Sequence, residues 1–247
     1  MKKILFGIQP TGRIHLGNYL GGIKKAIELQ DNNDVEFLIA QYHSLTTQDE
    51  ENNAINSSII GYQLMILGAK YINYQTEENT KLAWEIMCKT PVSHLKKMTQ
   101  WKDKGKGNTG LLTYPCLMAA DIILSECEEV IVGEDQTQHF EFYREVCKKM
   151  YFKPAKMITT ETPRIMSLKD PNKKMSKSLG DEHCIYIGED NKEKILKANT
   201  NDAGITNIKK ISEALGIKFD ENNCKESKIK LNKAINNIWT NKHSLIS

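Results

Sequence analysis

Four short stretches of this chain carry side chains whose types and order can do chemistry. Lys174-Met175-Ser176-Lys177-Ser178 puts two ammonium groups and two hydroxyls on a polar loop running from Pro171 to Gly180. Such a set can follow a polyphosphate as its charge redistributes; a solvated lysine loop is the plain alternative. Gly7-Ile8-Gln9-Pro10-Thr11-Gly12, then His15-Leu16-Gly17-Asn18, lies where an apolar strand turns into a helix. Ligands of open α/β sheets bind at that end of a strand, and a helix start offers free N–H groups to phosphate. Gly17 would let a planar base or phosphate approach the backbone, with His15 and Asn18 as polar contacts; a capped turn needs no ligand. Asp121 sits inside the apolar run MAADIIL, where a carboxylate must find a donor, be it a backbone N–H, a lysine or a ligand. Gly133-Glu134-Asp135-Gln136 directly follows the apolar EVIV, and as a bare pattern it is an acidic turn capping the next helix.

These stretches must be positioned by regular elements. Lys3–Ile8 and Val35–Ala40 read as buried strands, parallel if the helix between them is a crossover. Leu16, Leu20, Ile23 and Ile27 follow the helical period, as do Ile55, Ile59, Tyr62 and Ile66, with Gly68 as a stop. Residues 78 to 104 read as helix broken by Pro91, and 102–110 as a Gly/Lys loop. Helix is expected over Leu117–Cys127 and from Gln136 to Lys149, and strand over Glu129–Val132 and near Met157–Thr160. Beyond about 185 only helical patterns remain, the clearest at Leu231, Ala234, Ile235, Ile238 and Trp239. The alternation implies a doubly wound parallel α/β sheet with a small helical end.

Composition narrows the function classes. The 247 residues are 40% apolar and 26% charged, an ordinary globular balance. A net charge of +3 is too small for a wholesale nucleic-acid coat. It is uneven, however: residues 205–247 hold eight lysines against four acidic residues, a surface that either faces water or meets a polyanion. The six cysteines show no zinc or iron–sulfur spacing and suggest a reducing, cytoplasmic setting. No window approaches the roughly 18 apolar residues of a membrane span.

Taken together and in this order, the segments resemble a class I aminoacyl-tRNA synthetase. His15-Leu16-Gly17-Asn18 stands where that class has its HIGH motif, and residues 174–178 match KMSKS in full. Asn18 in place of the final His is typical of the tryptophan branch. GIQPTG, LMAAD and GEDQ favour that branch over the tyrosine one, and a small nucleotidyltransferase of the HxGH type has no reason for KMSKS plus GEDQ. The resemblance runs from residue 1 to about 180.

It implies a Rossmann-like class I catalytic domain over 1–184, with a helical insertion at about 70–120, and a reduced helical tRNA-binding domain over 185–247. It implies tryptophan activation by ATP to an adenylate and pyrophosphate, then transfer to tRNA(Trp). Gln9, Pro10 and Thr11 would contact ATP, with Gly17 and Asn18 under the nucleotide. Gly133, Glu134 and Asp135 would bound the ribose, and Ile165, in Arg164–Leu168, would meet adenine. Lys174, Met175, Ser176, Lys177 and Ser178 would hold the phosphates; Lys174 and Lys177, with Mg²⁺ and with Lys104 as a third cation, would stabilise the leaving pyrophosphate. Asp121 would accept the indole N–H, an acceptor matched to a ring with one donor. Tyr114 and Gln136 would lie near the rest of the amino acid, and Met118, Val130, Val132, His43 and Gly7 around the pocket. Whether Leu5 or Phe6 meets the indole is left open. The family is usually homodimeric, residues from about 70 to 120 lying nearest the partner.

Overall fold

The structure, a computed structural model, describes residues 1–104, 107–133, 136–160 and 165–243, without the side chains of 103, 104 and 240–243. The Lys104 side chain, Glu134, Asp135 and Arg164 therefore lie outside the described residues.

The chain divides into two compact units. The first comprises Met1–Gly12, Ala26–Met65 and Ala69–Thr160, the second Arg13–Lys25, Ile66–Gly68 and Glu161–Ser247. Arg13–Lys25 is thus grouped with the later part of the chain.

The first unit is built on five parallel strands, β1 (Lys3–Ile8), β2 (Asp34–Ile39), β3 (Tyr71–Tyr74), β4 (Glu129–Val132) and β5 (Lys156–Thr159), in the order β3-β2-β1-β4-β5. The three central strands are near-continuous apolar runs, as a sheet covered on both faces requires. Alternation sends Leu5, Leu38, Val130 and Val132 into the core shared with helices α5 (Glu77–Lys89), α8 (Thr109–Leu124) and α9 (Thr137–Met150). Phe6 points to the opposite face and meets Phe37 edge-on, with ring centroids 5.8 Å apart. Leu5, not Phe6, thus shares a face with the valines expected at the pocket.

Several elements depart from expectation. β3, Tyr-Ile-Asn-Tyr, has no apolar run, because it is an edge strand whose side chains are exposed or half-buried. α8 begins at Thr109 rather than near Leu117: Asn108 caps it, its side chain accepting from Leu111 N–H at 2.9 Å, and Pro115 is accommodated inside the helix. Helix α4 (Glu50–Leu67) buries Ile66 as expected, but otherwise another stripe, with Asn53, Ser57, Ile60 and Leu64 inward and Ile55 and Tyr62 exposed. Gly68 ends it as anticipated, at φ +95°.

The second unit holds α1 (Leu16–Asn18) and a π turn (Tyr19–Ile23); α2 (Lys24–Leu29) follows in the chain, and from Ala26 on it is counted with the first unit. The later part of the second unit contributes α10 (Lys192–Leu196), α11 (Asp202–Ala214) and α12 (Cys224–His243). Leu231 and Ile235 of α12 are fully buried, as their spacing predicted. One turn earlier, Lys228 turns its ammonium inward to donate to Ala198 O at 2.9 Å and Leu196 O at 3.2 Å. It thereby closes the carbonyl end of α10, and burial lowers its pKa.

Asn207 of α11 binds the backbone that leads to the Lys174 loop. Its Oδ1 accepts from Met166 N–H at 3.0 Å, and its Nδ2 donates to Met166 O at 2.9 Å. Asn207→Ala leaves both backbone groups without that partner and is expected to cost about 2 kcal/mol. A lower urea midpoint at unchanged slope is the expected reading; an unchanged midpoint would mean that water replaces the amide in full.

Candidate functional site

Strand order reverses on either side of β1, so the carboxyl ends of β1 and β4 form the switch point where open α/β sheets bind ligands. Gly7, Gln9, Pro10 and Thr11 lie at the end of β1, and Gly133 directly follows β4. A Cβ on Gly7 would meet nothing within 4 Å, so the space beside it is open. The turn after β1 is held from below. Gln9 Nε2 donates to His43 O at 3.1 Å, Gln48 Nε2 donates to Pro10 O at 3.0 Å, and Thr11 N–H closes onto Gln9 O at 2.9 Å. Gly12, at φ +101°, makes the exit that a side chain would strain. Gln136 N–H donates to Gly133 O at 2.9 Å.

Asp121, only 6% exposed on α8, finds its donors in three side chains. Gln75 Nε2 lies 2.8 Å from its Oδ1 and 2.9 Å from its Oδ2, Asn79 Nδ2 lies 2.9 Å from Oδ1, and His43 Nε2 lies 2.9 Å from Oδ2. An ionised carboxylate only accepts, so His43 carries its proton on Nε2. The donors come from segments following two strands: His43 from α3 (Gln41–Ser44) after β2, Gln75 and Asn79 from the turn after β3 and the first turn of α5. None is a lysine or a backbone amide, the partners expected without a ligand. The physical reason is reach: the strand ends deliver neutral amides and an imidazole to this point of α8.

The remaining predicted amino-acid contacts divide between polar and apolar. The Tyr114 hydroxyl lies 2.6 Å from Nε2 of the buried His139, and the Tyr114 ring meets His43 edge-on, centroids 5.9 Å apart. Val130 and Val132 are buried in the core, with the half-buried Met118 packed against it.

The second unit holds the other predicted set. His15 caps α1: its Nδ1 accepts from Asn18 N–H at 3.2 Å, while Asn18 Oδ1 accepts from His15 N–H at 3.3 Å. A Cβ on Gly17 would stand 2.9 Å from His15 Cε1, so glycine here makes room for the imidazole. Leu16 N–H donates to Ile185 O at 2.8 Å and Ile187 N–H to Ile14 O at 3.0 Å, so the stretch just after the Lys174 loop pairs with the His15 segment. The loop itself is anchored at its buried Met175, whose N–H donates to Ile165 O at 3.0 Å. Lys174 is exposed, and the Ser176 and Ser178 hydroxyls lie 2.9 Å apart.

Electrostatics tie these parts together. Burial, reinforced by Lys177 and Lys174, pushes the His15 imidazole down to about 4, so it is neutral at physiological pH. Burial likewise lowers Lys177 to about 8, with Arg13 adding to the effect and Cys184 opposing it. Arg13 is itself fixed by Asp181 at 2.7 Å, Glu189 at 2.5 Å and the face of Tyr186, 4.3 Å from the ring centroid.

Thus Gly7, Gln9, Pro10, Thr11, His43, Tyr114, Met118, Asp121, Val130, Val132, Gly133 and Gln136 belong to the first unit. Gly17, Asn18, Ile165 and residues 174–178 belong to the second. Sequence reasoning missed Gln75, Asn79, Arg13 and Tyr186. Thr76-x-x-Asn79 was a visible capping box, but nothing in one sequence showed that its amide also reaches α8.

An imidazole that resists protonation makes the fold acid-sensitive. The unfolded chain takes up a proton near pH 6.5 and the folded one only near 4, so stability present at neutral pH is lost as pH falls between them, by up to about 3 kcal/mol. An NMR titration of His15 is expected to show its midpoint near 4; one near 6.5 would contradict the desolvation.

Comparisons with known proteins agree with this architecture. Residues 1–241 match the family of class I tRNA synthetases (W and Y). A tryptophan–tRNA ligase of Rickettsia felis is 38% identical over 225 residues, covering 81% of this chain and 68% of that protein. Among solved structures, a tryptophanyl-tRNA synthetase of Mycoplasma pneumoniae superposes with a TM-score of 0.85 at 30% identity, covering all of this chain and 89% of the other. That of Campylobacter jejuni, complexed with ADP and tryptophan, gives 0.81 at 28% identity and covers 98% of this chain and 87% of its own. With its family matched along nearly the whole chain and its parallel sheet shared, the protein belongs to the class I tRNA synthetases of the W and Y family.

Proposed function

We propose that this protein is a tryptophan–tRNA ligase: it activates L-tryptophan with ATP and transfers the tryptophanyl group to the terminal adenosine of tRNA(Trp). The observation that carries the reading is the joining, in one compact unit, of the His15–Asn18 turn with the Lys174–Ser178 loop, two segments far apart in sequence. Support for tryptophan comes from the relatives named above and from a buried carboxylate suited to a ring with one N–H donor.

In the first step a carboxylate oxygen of tryptophan attacks the α-phosphorus of ATP, and the bond to pyrophosphate breaks. A hydroxyl of the terminal ribose of the tRNA then attacks the carbonyl carbon, releasing AMP and a proton. Neither step needs a protein nucleophile, so the protein contributes position and charge. Asp121 accepts the indole N–H, with Tyr114 and Gln136 toward the amino acid backbone and Gly7, Met118, Val130, Val132 and His43 around the ring. Gln9, Pro10, Thr11, Gly17, Asn18, Gly133 and Ile165 bind the nucleotide, as do Glu134 and Asp135. Lys174 and Lys177 offset the charge that develops on pyrophosphate, with Met175, Ser176 and Ser178 shaping that loop and Lys104 as a further cation. Mg²⁺ accompanies ATP as part of the substrate.

Residues 185–247, with their lysine excess, are the part assigned to tRNA. Self-association as a homodimer through residues 70–120 is supported by the exposure of Trp84, Val92, Tyr71 and Tyr74. Cytoplasmic residence accords with six free cysteines and with the lack, among the described residues, of any helix long and apolar enough to cross a membrane.

The direct test is ATP–pyrophosphate exchange with each amino acid in turn, followed by charging of transcribed tRNA(Trp). Exchange with tryptophan alone, then charging, is expected; exchange without charging would overturn the ligase assignment. Lys177→Ala is expected to slow exchange at least about tenfold while leaving tryptophan affinity nearly unchanged. Because the Lys177 ammonium is lost as pH rises through about 8, exchange should decline above that pH in the wild type and hold in Lys177→Arg. Equal profiles would remove that lysine from the mechanism. Asp121→Asn keeps the shape but loses the charge, and calorimetry is expected to show tryptophan binding at least about tenfold weaker. Unchanged affinity would refute the indole assignment.

A further inference from the structure

We propose that Gln75 and Asn79 are positioning residues for amino-acid selection: their amides aim the Asp121 carboxylate, and the preference for a ring N–H depends on that aim. The inference rests on the tryptophan reading of Asp121 given above.

Both amides are locked from behind. Gln75 Oε1 accepts from Tyr42 N–H at 2.7 Å, which leaves Nε2 to face Asp121. The Gln75 carbonyl is held in turn by Gln41 Nε2 at 3.2 Å. Asn79 Oδ1 accepts from Thr76 N–H at 2.8 Å and from the Thr76 hydroxyl at 3.1 Å, closing the cap of α5 and leaving Nδ2 for Asp121. Flipping either amide would break these bonds and turn an acceptor toward a carboxylate, so each has one workable orientation.

The result is a carboxylate with a fixed plane. Gln75 bridges both oxygens, Asn79 adds to Oδ1 and His43 to Oδ2. These four contacts from three side chains hold both oxygens, so a ring N–H reaches the carboxylate by sharing an oxygen that is already aimed. The donors at Gln75 and Asn79 are neutral, so they orient the group without cancelling its charge, as a lysine would. A bound ring N–H then meets a charge already ordered, and a ring without that donor forgoes the bond to it.

Two variants separate aiming from packing. Gln75→Met keeps the length and removes both the donor and the acceptor. Asn79→Asp keeps the oxygen that caps α5 and replaces the donor by a second oxygen, so it decides the matter if Gln75→Met does not fold. Calorimetry is read for L-tryptophan and for its analogue with ring sulfur in place of N–H, together with the KM for ATP. The wild type is expected to prefer tryptophan. Each variant should narrow that preference at least about tenfold, through weaker tryptophan binding, with analogue affinity changed less than about twofold and the KM for ATP unmoved. A preference kept intact, or equal weakening of both ligands, would overturn the aiming role alone. A wild type with no preference would overturn the tryptophan reading as well.

Discussion

A carboxylate buried in an apolar helix is the constraint around which the first unit is organised. Asp121 sits among Ala119, Ala120 and Ile122, all buried, where an unpaired charge would cost several times the net contribution of a hydrogen bond. The cost is offset by bringing donors from elsewhere in the chain, and a parallel sheet does this well. Every strand ends on the same edge, so the turns after β2 and β3 deliver His43, Gln75 and Asn79 to one spot on α8. The same edge carries Gln9 after β1 and Gly133 after β4. Solvation of one acid and assembly of a ligand-binding edge follow from a single topological fact.

The second unit answers a different electrostatic problem, the concentration of positive charge. Lys174 and Lys177 share surroundings with His15, and the outcome is that the imidazole stays neutral and one ammonium is destabilised by burial. A cation held in this way is strongly disposed toward an anionic partner, since contact with phosphate relieves the penalty of its burial. Arg13 is prevented from competing for that role by Asp181, Glu189 and the Tyr186 ring. The loop between is pinned at Met175 and by Asn207, while the exposed Lys174 faces water. Anchored backbone with exposed or partly buried ammonium groups suits a segment that tracks moving charge.

Much of this was legible in the residues. The apolar runs gave β1, β2 and β4, because strands covered on both faces need no alternation. Pro91, Gly68 and the spacing of Leu231 and Ile235 located helix ends and a buried face. Other elements were hidden for identifiable reasons. β3 lies at the sheet edge and shows no apolar run, and α4 buries Asn53 and Ser57 where the pattern favoured Ile55 and Tyr62. Gln75 is indistinguishable in sequence from any surface glutamine, since its role depends on Tyr42 and Asp121, both remote from it in the chain.

By itself the sequence determined the kinds of groups present and their order along the chain: two lysines and two serines in one loop, a histidine and glycine at a strand-to-helix turn, an acid in an apolar helix. Those are local facts, written in residue type and spacing. Only the tertiary structure decided which groups share an environment. It placed Leu5 rather than Phe6 on the valine face, gave Gly17 the task of admitting the His15 ring, and supplied Asp121 with donors from other segments. The reason is that burial, desolvation and hydrogen bonding across distant segments depend on separation in space, which a single sequence does not encode residue by residue.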